Sequence, residues 1–406
     1  MKERVKICII SSESNYREIR GGGGFISVRI HIESMSRLGH DVVILSKPNP
    51  DIMRDADIVW HHNIKNLVMV QHICEKLNLP LVVTVNSFIT CPMAAHIRNE
   101  DPKYGKPCER CSLKGVFTCL LLNKQNQNRK ITWKAKMRKF SFLLSPFYYY
   151  NMKLRLDALN KANRIICISP TLMSMLKKAG IDENKMIVIP QPVDPSYLNP
   201  PRYKLFYDRV ALFVGAASWI KGAHLAAEAV SKLCDVKLAF VGGITVLKPY
   251  IEKLLGKRAI FVGSVPAEEM KKYYYSAHIV LFPSIWYEAF GRVWAESCMC
   301  GTPVVAFKGR GGASDYLKHE KTALLSDYDV DEYAEQIKRL FEDEALYKKI
   351  SRNAREYAKK NFSADVVAKK YEKVFEEVLN ERDDVVKFQE KFYNSREYGD
   401  SIKTRE

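Results

Sequence analysis

No stretch of the 406 residues approaches the ~18–20 uninterrupted apolar residues of a helical membrane span. The opening Met1-Lys2-Glu3-Arg4 is charged and passes straight into the short apolar run Val5–Ile10, without the roughly 7–15 apolar residues of a secretory leader. Both absences lead to the expectation of a chain made and kept in the cytoplasm. In that reducing compartment the ten cysteines read as thiols or metal ligands before they read as disulfides. There is no short-period repeat and no RNA- or DNA-binding motif. Acid is in short supply: 46 Asp and Glu stand against 64 Lys and Arg, a formal net charge of +18. Such an imbalance favours anionic partners, whether nucleic acid, an acidic membrane surface or phosphorylated ligands. What is present is ordinary for a globular protein, 47% hydrophobic and 27% charged residues, which excludes a disordered or collagen-like chain. The length suits two or three domains.

Short Val- and Ile-rich runs recur with helix-length amphipathic stretches between them. The first half carries Val5–Ile10, Val42–Leu45, Ile58–Trp60, Leu81–Val85, Ile165–Ile168 and Ile187–Ile189. The second half carries Val210–Val214, Lys237–Val241, Ile260–Val262, Ile279–Phe282, Pro303–Phe307 and Ala323–Leu325. Continuous apolar runs without alternation mark strands buried on both faces of a parallel sheet. Helical patterns such as Ile26–Leu38, Pro170–Ala179, Ala223–Leu233 and Glu268–Ser276 lie between them. The alternation predicts an α/β fold in which a doubly wound sheet occurs twice. The proline-rich Pro190-Gln191-Pro192-Val193-Asp194-Pro195 continues neither helix nor central strand and reads as the linker.

The most informative stretch begins Pro283-Ser284-Ile285-Trp286-Tyr287-Glu288-Ala289-Phe290-Gly291-Arg292 and runs on through Glu296 to Gly301-Thr302-Pro303. A strand ends at Pro283, a loop carries Glu288, a helix starts near Phe290-Gly291, and Gly301 stops it. Ligands bind at the carboxyl ends of such strands, and free amides at a helix start suit a diphosphate. Glu296, two turns into the helix, and Glu288, in the loop, can each accept hydrogen bonds from sugar hydroxyls. Two solvated glutamates around a helix are the plainer alternative.

This stretch resembles the acidic signature of retaining glycosyltransferases of family 4, P-S-x-x-E-x-F-G-x-x-x-x-E-x-x-x-x-G-x-P-V, with two Glu eight positions apart. Gly215-Ala216-Ala217-Ser218-Trp219-Ile220-Lys221-Gly222 resembles the family's G-R-x-x-x-x-K-G loop, and Gly309-Arg310-Gly311-Gly312-Ala313-Ser314-Asp315 its G-G-x-x-E loop with Asp for Glu. Pro190–Asp194 resembles its P-N-G-V-D linker, and the likeness runs over about residues 5–380. The resemblance implies the GT-B fold, two Rossmann-like doubly wound parallel-sheet domains facing across a cleft. It places an acceptor-side domain at 1–194, a nucleotide-sugar domain at 195–362, a helix at 363–382 returning to the first domain, and a charged tail at 383–406. It implies transfer of a sugar from a UDP- or GDP-linked donor to an acceptor hydroxyl with retention, in synthesis of cell-surface glycan or glycolipid. No metal or cofactor is needed for catalysis in such enzymes.

By the same resemblance Glu288 holds the donor sugar and Glu296 the ribose, while Lys221 and the amides of Phe290 and Gly291 steady the diphosphate, with Gly215 and Ser218 in the adjoining loop. The family's second diphosphate cation, an Arg, is Ala216 here, and Arg292 is the candidate replacement. Gly23 and Gly24, in the run Arg20–Gly24, correspond to a glycine loop facing the donor phosphate; the run is not G-x-G-x-x-G, and a flexible surface loop is the alternative. Asp57–Asn63 resembles D-V-V-H-x-H-x, with Trp60 for the first His and His62 for the second. Thr84–Pro92 resembles T-V-H-D-F-x-x-C-P, with Asn86 where the family has its active-site His. An Asn can hydrogen-bond a sugar hydroxyl but takes up no proton at neutral pH. That suits front-face substitution, in which the departing phosphate takes the acceptor's proton. A catalytically impaired nucleotide-sugar-binding protein and a nucleotide-sugar 2-epimerase on the same fold are the alternatives.

Two features stand outside the signature. Cys91, Cys108, Cys111 and Cys119 fall in one 29-residue span, with a C-x-x-C knuckle at 108–111. They read as a structural zinc site, as thiols or as a disulfide. Residues 124–156 hold nine basic residues, and Trp133, Phe140, Phe142, Phe147, Tyr148, Tyr149 and Tyr150 are interleaved with them. Cations beside aromatics suit an anionic membrane surface, where a lipid-linked acceptor would be met; a solvated helix face is the alternative, and nucleic acid is not expected. Asp327-Tyr328-Asp329 reads as a helix cap rather than a metal-binding D-x-D.

Overall fold

The computed structural model describes residues 4–12, 23–92, 108, 111–121, 142–243 and 246–400, with side chains described through 382 and at 384. Arg20–Gly22 of the glycine run and Lys124 to Lys139 of the basic segment lie outside the described residues. Each of the twelve apolar runs forms a strand. β1 (Lys6–Ile10), β2 (Asp41–Leu45), β3 (Ile58–His62), β4 (Leu81–Val85), β5 (Arg164–Cys167) and β6 (Met186–Val188) make one sheet in the order β2-β1-β3-β4-β5-β6. β7 (Val210–Val214), β8 (Lys237–Val241), β9 (Ala259–Gly263), β10 (Ile279–Phe282), β11 (Val304–Phe307) and β12 (Leu324–Ser326) make the other, in the order β12-β11-β10-β7-β8-β9. Every pairing is parallel. Every residue of β3, β4, β10 and β11 is buried, because helices cover both faces.

The strand orders position everything that follows. In the first sheet the chain goes outward from β1 to β2 and then crosses to β3; in the second it goes outward from β7 to β9 and crosses to β10. Loops leaving adjacent strands in opposite directions open a crevice at the carboxyl end of the sheet, at β1/β3 and at β7/β10.

The helix Ala364–Asp400 returns to the first sheet. Val367, Tyr371, Val374 and Val378, spaced i, i+4, i+7 and i+11, are buried with Ile7, Ile9, Trp60 and Val82. The sequence reading ends this helix at 382, whereas it continues to Asp400. The extra residues contain no proline and no glycine before Gly399, so nothing in them breaks the helix past the last buried turn.

Between that helix, the first sheet and the helix Gly23–Arg37 lies a buried ring cluster. Trp60 donates its indole N–H to Thr84 Oγ1 at 2.8 Å, and its ring meets Tyr371 at 4.8 Å. His31 lies 4.9 Å from Trp60, 4.7 Å from Tyr371 and 5.7 Å from His62. Burial pushes His62 down to about 3 and His61 down to about 4, so both are neutral near pH 7. In the unfolded chain a histidine titrates near its ordinary value of ~6.5, so below that pH the unfolded state binds more protons than the folded one. The expected result is a melting temperature that is level above pH 7 and falls steadily from pH 6.5 toward 4. Calorimetry at stepped pH checks it, and His62→Leu should shrink the fall while leaving the melting temperature at pH 8 less affected.

Candidate functional site

The two switch points face each other across a cavity of about 400 Å³, inside the ~300–1,000 Å³ range of small-molecule sites. The first sheet supplies Gly23 and Gly24, Asn63 after β3, and Asn86, Ser87 and Phe88 after β4. The second supplies Gly215 and Lys221 after β7, and the loop Pro283–Val293 between β10 and its helix. Gln191 of the linker closes one side.

Glu288 is buried at this wall. Its Oε1 accepts from Ser284 Oγ at 3.1 Å, from Trp286 Nε1 at 2.7 Å and from the Lys221 ammonium. Lys221 also lies 4.8 Å over the Trp286 ring. The main chain of Glu288 is pinned too: its N–H donates to Arg310 O at 3.2 Å, and Gly312 N–H donates to its carbonyl at 2.7 Å. Two glycines make this closeness feasible. Gly311 has φ 80°, and a Cβ there would fall 2.4 Å from Glu288 O; Gly222 has φ 73°, and a Cβ there would fall 1.8 Å from Pro283 O. The neighbouring Arg310 is used structurally, donating to Ile285 O at 3.0 Å and stacking 4.0 Å over Tyr328.

The helix after Glu288 is Arg292–Cys300, capped by left-handed Gly291 at φ 84° and by Gly301 at φ 79°. Gly291, Arg292 and Val293 line the cavity, so the first turn, with its unshared amides, opens into it. Glu296 is not at the cavity surface. It is buried behind Arg292, accepting from Arg292 Nε at 3.1 Å on one oxygen and from Tyr274 hydroxyl at 3.0 Å on the other. Burial, and then the Glu296 charge, hold the Tyr274 hydroxyl well above its ordinary range, so it stays a donor. Arg292 also donates to Pro192 O of the linker at 2.9 Å, and a Cβ on Gly23 would meet its Cδ at 3.1 Å. One arginine side chain thus joins the second lobe to the linker and lies beside Gly23 of the first.

The remaining expected residues separate. His62 sits in the buried ring cluster with no partner on either ring nitrogen among the described residues; Asn63, with φ 85°, takes the place at the wall. Ser218 and Phe290 support their loops, Ser218 accepting the Ala223 N–H at 3.3 Å through its carbonyl, and Phe290 accepting the Trp294 indole N–H at 2.6 Å. Asp315 points away from the cavity. It accepts Thr171 N–H at 2.9 Å and Thr171 hydroxyl at 2.8 Å, fastening the start of the helix Pro170–Lys178 to the other lobe. Asp329 caps the helix Val330–Glu342 through the N–H groups of Asp331 and Glu332, both at 2.8 Å.

All ten cysteines are thiols. Burial first, then Cys91, Cys119 and Cys108, push Cys111 up to about 12, so the four thiols share one neighbourhood. Among the described residues, however, no three His, Cys, Asp or Glu side chains are placed to hold a metal ion. Sequence reasoning missed Trp286, Ser284, Asn63 and Gln191 as site residues. Their common signal is position: each directly follows a strand or sits in the linker.

Comparison with known proteins agrees with this geometry. The family described as Glycosyl transferases group 1 matches residues 206–357, and Glycosyltransferase Family 4 matches residues 49–197. A glycosyltransferase of Methanocaldococcus jannaschii, MJ1607, is 32% identical over 177 residues, 41% of this chain and 45% of that one. The D-inositol 3-phosphate glycosyltransferase of Corynebacterium diphtheriae is 29% identical over 183 residues, 42% of each chain. The matched part spans a little under half the length of these curated relatives. Among solved structures, sucrose-phosphate synthase from Thermosynechococcus elongatus superposes with a TM-score of 0.67 at 18% identity, covering 93% of this chain and 100% of that one. Anabaena HepE in complex with UDP-glucose superposes with a TM-score of 0.64 at 16% identity, covering 92% and 100%. Two facing six-stranded parallel sheets with the matched sequence on both sides of their cleft place the chain among the glycosyl transferases group 1, on the GT-B fold.

Proposed function

We propose that the chain transfers a hexose from a nucleotide-sugar, UDP- or GDP-linked, to an acceptor hydroxyl of a glycan or lipid-linked sugar, with retention at the anomeric carbon. The observation that carries this reading is the pair of acid–cation contacts at the β7/β10 switch point, Lys221 with Glu288 and Arg292 with Glu296. A nucleotide-sugar brings a diphosphate for the two cations and hydroxyls for the two carboxylates, so it satisfies all four groups at once. Lys221 leaves Glu288 for the diphosphate, and Glu288 accepts hydroxyls of the donor sugar. Arg292 leaves Glu296 for the diphosphate, and Glu296 accepts ribose hydroxyls, which it reaches only once Arg292 has moved. Arg292 in this way supplies the charge that Ala216 lacks. The first-turn amides at Gly291 and Arg292 add their dipole to the leaving group. That the solved structures of Anabaena HepE hold UDP and UDP-glucose supports a uridine donor here.

The bond from the anomeric carbon to the phosphate oxygen breaks, the bond to the acceptor oxygen forms on the same face, and the acceptor proton passes to the departing phosphate. Asn86 and Asn63 orient hydroxyls and exchange no proton. This route needs no metal or cofactor, since the two cations carry the developing negative charge. His61 and His62 are buried and do not line the cavity, so neither is placed there as the acid or base that an epimerase needs, which favours transfer over epimerisation.

Arg292→Met and Lys221→Met should each weaken UDP binding about 10- to 100-fold, the ~1.5–3 kcal/mol of a hydrogen bond to a charged group, while uridine itself binds nearly unchanged. Isothermal calorimetry reads both; equal losses for UDP and uridine would refute the exchange of partners. Glu288→Gln should leave the UDP dissociation constant within a few-fold and lower kcat by about 100-fold. Turnover with a nucleotide-sugar and proton NMR of the product's anomeric configuration measure that effect and test retention.

A further inference from the structure

Of the seventeen large hydrophobic side chains exposed among the described residues, nine fall between Leu113 and Leu154. The helix Ser145–Asn160 explains the concentration. Met152, Leu156 and Leu159 are buried on one side, while Phe147, Tyr150 and Leu154, spaced i, i+3 and i+7, stand in solvent on another. Leu143 and Leu144 precede this stripe, at 65% and 52% exposure; Phe147 is 61% and Tyr150 65% exposed. The helix Leu113–Leu121 repeats the pattern, with Val116 and Leu120 buried and Leu113, Phe117 and Leu121 exposed at i, i+4 and i+8. Phe117 and Phe142 meet ring to ring at 5.3 Å, joining the two exposed stripes into one face. A soluble surface rarely leaves so much contiguous apolar area uncovered.

We infer that this face docks onto the surface of an anionic lipid bilayer. Charge selects the occupant. The sequence joining the two helices, residues 122–141, carries Lys124, Arg129, Lys130, Lys134, Lys136, Arg138 and Lys139 and no acidic residue. Seven cations in the sequence that joins its two helices oppose a second copy of the same chain, which would bring seven more, and match an anionic headgroup layer. Leucine and phenylalanine entering the acyl boundary, with the phenols of Tyr148 and Tyr150 at headgroup depth, make the interfacial arrangement in which apolar area and basic charge act together. The face belongs to the first lobe, the lobe that supplies Asn86, Ser87 and Phe88 to the cleft. The inference stands on exposure and charge, apart from the proposed transfer chemistry.

Flotation of the full chain with phosphatidylcholine vesicles, with and without 30% phosphatidylglycerol, tests it. The chain should float with the anionic vesicles, stay down with the neutral ones, and lose most of its binding in high salt. Leu143→Ser, Leu144→Ser, Phe147→Ser and Tyr150→Ser combined should cut recovery at least tenfold with an unchanged melting temperature and unchanged UDP affinity. Replacing Lys134, Lys136, Arg138 and Lys139 by Ser should do the same. Flotation of the fourfold apolar variant at the original level overturns the inference. So does a chain that ignores anionic vesicles and instead forms a dimer that the apolar variant dissolves. UDP binding, read separately, reports on the transfer reading and leaves the flotation result intact.

Discussion

A carboxylate taken out of water has to find compensation, and Glu288 is where the second lobe meets that constraint. Lys221, Ser284 and Trp286 all converge on one of its oxygens. Its main chain is stitched to Arg310 and Gly312. The three loops that follow β7, β10 and β11 are therefore held against each other by a single residue. Side chains are excluded where those loops touch, which is why Gly222 and Gly311 occupy their positions. Lys221, a third exposed at the cavity wall, is the part of this contact that a ligand can reach.

The second acid–cation contact has a different role. Arg292 neutralises Glu296, reaches the linker carbonyl of Pro192 and packs beside Gly23 of the opposite lobe. In the proposed reading, movement of this guanidinium toward a diphosphate frees the Pro192 carbonyl as it uncovers Glu296. On the far side of the cleft, Asp315 on Thr171 and Tyr316 on the Ile168 carbonyl keep the lobes joined, so a change at Arg292 bears on one edge of the interface while the other stays fastened.

The histidines show why pattern and position diverge. His62 ends the strand, where a ligand-facing residue is expected, yet strand residues alternate faces and the even positions of β3 look into the helical layer with Trp60. The residue that turns toward the cavity is Asn63, one step beyond the strand, where a left-handed backbone breaks the alternation. Glu296 is a related case. Its place in the motif marks it as important, but only the packing of Tyr274 and Arg292 around it reveals that it is covered without a ligand.

The amino-acid sequence by itself determined the twelve strands, their parallel arrangement in two sheets and the loop and helix that carry Glu288 and Glu296. These rest on local apolar runs, glycine and proline punctuation and a short motif, all written in neighbouring residues. Tertiary structure alone decided that Lys221 is committed to Glu288, that Asp315 fastens the lobes instead of lining the cleft, and that the helix Ser145–Asn160 is apolar on a side facing solvent as well as on the side facing the core. The physical reason is separation along the chain: Lys221 and Glu288 are 67 residues apart and Thr171 and Asp315 are 144 apart, so only the crossing of strands at the two switch points brings such partners within reach.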